Sequence, residues 1–299
     1  MAPSPRALRL PAAVGAALTA AVLLVGGQAS AQDPSASGPG TSGSDLVLDS
    51  AAARPYWSGG LPRWFVSAQL EGGFFYVRSQ MAAGYGKPHW RWIGLETQGR
   101  ASGGTGSEYI GLRAALPDAD LRVGARYVVA SDQAFLEPQD SFDRDDVRIP
   151  EVPQSHYLQL EAEVSGSVPF LGGTLFGLAG LYRTSGVPAG YFVFDESLHV
   201  VVDPPWTWRA RGGYLLKFGA QGGLRIGMAA EVIGLPARHE VVVRTGPQLA
   251  VVLTHHLDAA ASIMAVAWSP DSLSLLGADI GQFGLRYRWA TGDPFPEFP

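Results

Sequence analysis

From Trp64 to Trp289, apolar side chains recur at every second position in one segment after another. In 121–129 and in 158–164, for example, apolar residues alternate with arginine, glutamate, glutamine or glycine. A two-residue period gives an extended strand one apolar face and one polar face. No run in this part of the chain is uncharged and apolar for long enough to span a membrane as a helix. The sequence therefore predicts an all-β protein.

Composition supports strands and turns over long helices. The 299-residue chain contains 38 glycines and 22 prolines, residues that are common in turns. It has no cysteine, which excludes a disulfide framework. With 22 basic and 27 acidic residues it also lacks the positive charge that a nucleic-acid backbone attracts, so we expect no nucleic-acid partner.

The N-terminus has the features of an export signal. Arg6 and Arg9 precede an uncharged stretch rich in Ala, Val, Leu and Gly, which ends at the small-residue site Ala29-Ser30-Ala31. This pattern predicts a cleaved signal peptide over residues 1–31, and an uncleaved membrane anchor is the alternative. Residues 32–62 are rich in Ser, Gly and Pro and are predicted to form a flexible N-terminal leader.

The lengths of the connections distinguish a membrane barrel from a soluble sandwich, which would show the same alternation. Connections at 117–119, 170–172 and 219–222 are short, whereas 132–153 and 186–205 are long. If the first strand runs outward, the short turns fall on the inner side and both long loops fall on the outer side, as in outer-membrane barrels. The count is twelve, within a range of roughly ten to fourteen. The strands are predicted near 63–71, 74–86, 90–101, 107–116, 120–131, 154–168, 173–184, 206–218, 222–234, 239–254, 257–268 and 274–289, with the first hairpin turning at Gly72-Gly73.

Tryptophan positions are a second indication. Seven of the eight tryptophans lie at predicted strand ends, and Trp is enriched where lipid headgroups meet hydrocarbon. The alternative is that tryptophans simply flank turns. The predicted membrane-interface girdle consists of Trp64, Trp90, Trp92 and Trp289 at the inner ends and Trp206, Trp208 and Trp268 at the outer ends.

The export signal, the even strand count and the final strand Phe283, Leu285, Tyr287, Trp289 resemble a Gram-negative outer-membrane β-barrel protein of porin-like type. The resemblance implies an antiparallel transmembrane β-barrel over 63–289, located in the outer membrane. It also implies contact with outer-membrane lipids and with the export and barrel-assembly machinery, and we expect a monomer. Members of this class usually end in an aromatic residue, but this chain continues through a C-terminal tail, 290–299.

The polar face of the strands carries more basic than acidic residues. If the apolar face meets lipid, twelve basic and five acidic side chains point into the lumen. Arginine and lysine rings favour anions, so a narrow channel for small anionic solutes is the leading hypothesis. The alternative is a plugged structural or surface-interaction barrel in which these charges pair with one another. The predicted basic set is Arg100, Arg113, Arg122, Arg126, Arg183, Arg209, Arg211, Lys217, Arg225, Arg244, Arg286 and Arg288, and the acidic set is Glu96, Glu161, Glu163, Glu231 and Glu240.

Motifs for catalysis and metal binding are weak. Ser185 and His199 both lie near the predicted outer rim, as in outer-membrane lipid hydrolases, but without a surrounding signature. His255 and His256 are adjacent and would point in opposite directions in extended chain. We therefore predict no enzyme activity, catalytic residue, metal site or cofactor. A lipid-modifying enzyme and a soluble periplasmic β-protein are the less favoured alternatives.

The signal segment leads to a direct test. We expect the mature chain to begin at Gln32 and to fractionate with the outer membrane, because cleavage follows the Ala-x-Ala site. N-terminal sequencing of the protein from membrane and periplasmic fractions would check both points. Recovery of the mature chain as a soluble periplasmic protein would contradict the prediction.

Overall fold

The computed structural model describes residues 54–73, 76–102, 104–131, 133–147, 155–219, 223–280 and 284–293. The predicted signal peptide, most of the predicted leader and the end of the predicted tail therefore lie outside the described residues. Within the described part of the chain, no helix is both long and apolar enough to cross a membrane.

Twelve long strands form the wall of the molecule, and shorter elements lie at its two ends. The short elements are helices α1 (Arg54–Ser58) and α2 (Arg144–Val147), a 3₁₀ turn (Ser274–Leu276), and strands β8 (Val193–Asp195), β9 (Val200–Val202) and β14 (Asp279–Ile280). The wall strands are β1 (Arg63–Gly73), β2 (Tyr76–Lys87), β3 (Arg91–Ser102), β4 (Thr105–Ala115), β5 (Ala119–Ala130), β6 (Ser155–Phe170), β7 (Gly173–Ser185), β10 (Trp206–Phe218), β11 (Leu224–Leu235), β12 (Glu240–Val252), β13 (Leu257–Trp268) and β15 (Gly284–Ala290).

Every neighbouring pair in the wall is antiparallel, and the first and last strands close the sheet. The strand β1 pairs with β15 from Ser67↔Ala290 to Gly73↔Gly284, and β15 also pairs with β13. Closure joins the two edges of the described sheet, which is the condition for a β-sheet to cross lipid. The predicted twelve-stranded antiparallel β-barrel is confirmed.

The outward face of the barrel is apolar. On β6, for example, Leu158 and Leu160 are exposed while Gln159 and Glu161 between them are buried inside. A continuous band of this kind is incompatible with water and matches hydrocarbon. The chain is thus an outer-membrane β-barrel whose outward face meets lipid. The exposed band includes Leu95, Ile110, Leu112, Leu121, Val123, Leu181, Leu216, Ile226, Met228, Leu249, Ile263 and Leu285.

The connections divide the barrel into two ends. We use "inner end" for the end with the short turns, α1 and the end of β15, and "outer end" for the end with the long connections 131–154, 186–205 and 269–278. The described parts of both long loops that the sequence predicted lie together at the outer end. Every connection at the inner end is short and all long connections lie at the outer end, which agrees with the predicted topology.

Two strand boundaries differ from the prediction. The first hairpin exists, but β1 continues through Gly73 instead of turning at Gly72-Gly73. The last wall strand does not start at residue 274, because the side chain of Asp271 accepts a hydrogen bond from the backbone N–H of Phe142 in another outer loop. This contact holds the segment before Asp279 in the outer end, and pairing with β13 starts only at β14.

The apolar band predicts where a charge is tolerated. Leu160→Arg should impair insertion into lipid, because a cation near the middle of a barrel wall costs about 2 to 4 kcal/mol. Leu160 is 45% exposed on the outward face of β6. The measurement is the yield of folded protein on refolding into vesicles, read as heat-modifiable migration on a gel.

Leu171→Arg is the matched control, because Leu171 is 80% exposed in the inner turn between β6 and β7. A cation there lies at the boundary with water, where the cost falls to about 0 to 1 kcal/mol. Equal yields from the two variants would show that the outward face of β6 does not meet hydrocarbon.

Candidate functional site

The lumen contains charged side chains arranged as ion-pair clusters. On the inward face of the wall, arginines lie beside glutamates and aspartates of neighbouring strands. Side chains at paired positions of neighbouring strands are close enough to interact. Most of these groups are almost fully buried. An ionised group buried in this way requires a partner of opposite charge and further hydrogen bonds.

The first group, the β3–β6 cluster, contains Glu96, Arg113, Asp120, Arg122 and Glu161. Arg113 donates to Glu96 at 2.8 Å and to Asp120 at 2.9 Å. Arg122 donates to Glu161 at 2.9 Å and lies 3.8 Å from Glu96. Each arginine thus joins two carboxylates on different strands, so the cluster links four strands inside the barrel.

Aromatic and glycine residues support this cluster. The Arg122 guanidinium lies 3.8 Å from the ring centre of Tyr109, a cation–π contact. The Tyr109 ring can lie flat against the wall because Gly111 and Gly124 have no side chains, and a Cβ at either position would collide with its hydroxyl. The glycines among the alternating strands therefore make room for the ring that supports Arg122.

The second group, the β10–β14 cluster, contains Arg209, Arg211, Glu231, Arg244 and Asp279. Glu231 accepts from Arg209 at 2.6 Å and from Arg244 at 3.0 Å. Arg211 donates to Asp279 at 3.3 Å and also reaches side chains of β12 and β13. Three of the predicted lumen arginines, Arg209, Arg211 and Arg244, are therefore held by two carboxylates.

Two smaller groups complete the arrangement near β1, β2, β13 and β15. Asp258 accepts from Arg286 at 3.0 Å and also from Arg288. Glu71 accepts from Arg78 and from the hydroxyl of Tyr76. Of the remaining predicted lumen residues, Lys217 and Arg225 also point inward, Arg126 donates to Glu161, and Glu163 accepts from Tyr182 at 2.5 Å.

The predicted lumen set lacked several charged residues that balance the arginines. Apart from Asp195, the residues in this group lie within two positions of a strand end, yet inside the predicted strands, and the predicted charged set left them out. Asp195 lies in an outer loop, for which alternation gives no direction. The alternation along each wall strand could have identified the strand residues as pointing inward. No pattern in the sequence indicates that Asp195 is buried. The omitted buried residues are Glu71, Arg78, Asp120, Asp195, Asp258 and Asp279.

Two residues that were predicted to line the lumen, Arg183 and Glu240, do not do so. Arg183 is exposed on the outward face and stacks over Trp206 at 5.8 Å, because Tyr182 beside it takes the inward position. Glu240 is exposed at the first position of β12, on the outer rim and outside the buried lumen.

Two members of the predicted membrane-interface girdle, Trp92 and Trp90, do not face the lipid. Trp92 is buried inside the barrel against Phe65, Ala82 and Ala115. Trp90 packs against residues of the inner end. The other girdle tryptophans lie on outward positions of their strands, Trp64, Trp206 and Trp268 exposed and Trp208 and Trp289 half-buried.

A short hairpin occupies the outer mouth of the lumen. Strands β8 and β9 pair with each other, and all six of their residues are buried. Gln159 of β6 donates to Asp195 at 2.6 Å, and Arg244 of β12 donates to the backbone carbonyl of His199 at 2.8 Å. Since β6 and β12 are separated by three wall strands, the hairpin extends from one side of the mouth toward the other.

Apolar packing fixes this hairpin on both faces. One face joins a cluster with wall residues such as Tyr157, Tyr182 and Ile233. Its other face, with Phe194 and Val201, packs against the loop around α2 and against Leu273. Burial of this number of large apolar side chains makes the hairpin part of the folded core.

The inner end is covered by α1, which lies in the segment predicted as a flexible leader. Trp57 is 4% exposed, and its Nε1–H donates to the carbonyl of His255 at 2.8 Å. Its ring also contacts His89, whose Nε2 lies 3.1 Å from the carbonyl of Trp289. Burial, reinforced by Arg288, lowers the pKa of His89 to about 3, so the imidazole is neutral at pH 7 and donates to that carbonyl.

No family profile and no curated protein matches the sequence. Among solved structures the chain is similar to a KdgM porin, with a TM-score of 0.37 and 7% identity over 76% of this chain and 96% of that chain. It is also similar to the outer membrane protein Omp33 of Acinetobacter baumannii, with a TM-score of 0.37 and 10% identity over 77% and 99% of the two chains. The translocator domain of the autotransporter NalP from Neisseria meningitidis gives a TM-score of 0.33 and 13% identity over 77% and 87%. These values are too low to transfer a function.

The second ion-pair cluster predicts a large effect of one substitution. Glu231→Gln should lower the free energy of unfolding by about 3 to 5 kcal/mol, because it leaves Arg209 and Arg244 buried without their shared carboxylate. The measurement is the urea midpoint of the refolded barrel, followed by tryptophan fluorescence. Glu137→Gln, in an exposed outer loop, is the control and should leave the midpoint unchanged. Equal midpoints would show that the cluster is not needed for stability.

Proposed function

We propose that this protein is a plugged outer-membrane barrel with a structural or surface role, and that its lumen does not conduct solutes in the state described above. The observation that carries the proposal is the burial of the β8–β9 hairpin in the outer mouth. The proposal assigns no catalytic step to the chain and treats it as a monomer.

The ion pairs of the lumen support the same conclusion. A fixed guanidinium attracts passing anions only if its charge is not already matched by a carboxylate. Arg113 and Arg122 each lie within 4 Å of at least two carboxylates, and Glu231 and Asp258 each serve at least two arginines. The basic face that alternation predicts is therefore largely matched within the described lumen.

A gated channel for small anions is the second candidate. The observation that favours it is Arg100, an inward residue near the outer end that forms no ion pair within the described ranges. If the hairpin moved away, Arg100 would face the opened mouth. In this case the plug would be a gate, and conduction would require its release.

Bilayer recording separates the two candidates. We expect the purified wild-type protein to be silent under a salt gradient, and a variant in which 191–203 is replaced by a short Gly-Ser linker to conduct, with a reversal potential that indicates anion preference. The hairpin is the element removed, so the variant tests its role as the plug.

The control is a Gly-Ser replacement of the exposed residues 137–141, which lie outside the hairpin. This variant should remain as silent as the wild type. Steady current through the wild type would overturn the plugged barrel in favour of a channel. Silence of the variant lacking the hairpin, once its folding is verified by heat-modifiable migration, would show that the hairpin is not the plug.

A further inference from the structure

One lumen arginine differs from the others in its surroundings. Arg100 points inward near the outer end of β3, and its Nε is buried without a hydrogen bond. No ion pair joins it to a carboxylate anywhere in the described ranges. Its nearest aromatic contact is the ring of Tyr76, 5.2 Å from the guanidinium carbon. The buried Nε lacks the hydrogen bond that a polar atom removed from water requires, which indicates a missing partner.

Arg100 lines a small recess between the wall and the plug. Ser107 on β4 and Tyr157 on β6 line this recess, as does Ser197 from the loop between β8 and β9. The Tyr157 hydroxyl is also buried without a hydrogen-bond partner. Two residues with unused polar groups, on different strands, therefore line the same recess. The free space is about the size of a single water molecule.

We propose that this recess binds one small monovalent anion, with Arg100 as its counter-ion and the hydroxyls of Tyr157 and Ser107 as donors. Positive charge together with O–H donors is the environment that anions prefer, and hydroxyls can rotate toward the bound ion. The Ser197 hydroxyl already donates to Asp195 at 2.6 Å, so Ser197 lines the recess without supplying a donor to the ion. The site goes beyond the proposed plug, since it concerns a bound ligand and not passage of solutes.

The carboxylate of Glu196 in the same recess opposes the ion. Its Oε2 accepts a hydrogen bond from Gln133 at 3.1 Å, which orients it toward the outer loop. Arg126, the other cation of the recess, is engaged by Glu161. Arg100 is thus the cation left to attract the ion, and Glu196 is the acid that repels it. Removing the charge of Arg100 should therefore lower the affinity for the anion, and removing the charge of Glu196 should raise it.

The test uses the full mature chain refolded in detergent. The midpoint of thermal unfolding, read from heat-modifiable migration, is measured at constant ionic strength while sodium chloride replaces sodium gluconate, whose anion is too large for the recess. At chloride concentrations about five-fold above the dissociation constant, the wild-type midpoint should rise by on the order of 2 to 4 °C. A concentration series gives the dissociation constant for chloride.

Variants assign the effect to the recess. Arg100→Gln should abolish the chloride-dependent rise, Tyr157→Phe should raise the dissociation constant, and Glu196→Gln should lower it. Arg91→Gln, at an exposed position at the inner end of the same strand, should respond as the wild type does. A structural role alone would not move the dissociation constant in opposite directions for Arg100 and Glu196.

Crystals soaked in bromide give an independent readout, as an anomalous peak within hydrogen-bond distance of Arg100. Absence of any chloride-dependent shift in the wild type would overturn the proposal and leave water as the occupant. An equal shift in folded Arg100→Gln would overturn it as well. If Arg100→Gln does not fold, an unchanged dissociation constant in both Tyr157→Phe and Glu196→Gln would do the same. Each of these results is independent of whether the barrel conducts.

Discussion

The structure depends on the requirement that charges inside a membrane barrel be matched. A guanidinium removed from water loses far more solvation energy than a single distant charge can return, so each buried arginine must lie close to carboxylates. The chain meets this requirement across strands, with Glu96 joining arginines of β4 and β5 and Glu231 joining arginines of β10 and β12. These links fix the distances between strands that are not sequence neighbours, and so define the shape of the lumen.

The pairing of arginines with carboxylates also decides whether the lumen attracts anions. A row of unpaired arginines would raise the local concentration of anions, whereas arginines already held by carboxylates mainly fill space. The hairpin of the second long loop uses the same chemistry, because Gln159 and Arg244 of the wall bind its Asp195 and its His199 carbonyl. The polar groups that line the barrel are therefore also the groups that attach the plug.

The two ends of the barrel are closed by different means. At the outer end, three connections pack together through apolar residues such as Phe142, Phe194 and Leu273. At the inner end, a single short helix places Trp57 against the histidines of the turns. Lipid imposes no constraint on these segments, so their packing arises from apolar side chains that strand alternation does not use.

The sequence by itself determined the wall. Its period of two set which face of each strand meets lipid, and the short and long connections set the topology, because both are local properties of a strand and its turns. Only the tertiary structure decided the partners of the lumen charges, since Glu71, Asp120 and Asp258 become relevant through cross-strand register, which alternation does not specify. The inward folding of the 186–205 loop and the docking of α1 were decided in the same way. These segments have no strand period, and their buried positions follow from contacts with residues far away in the chain.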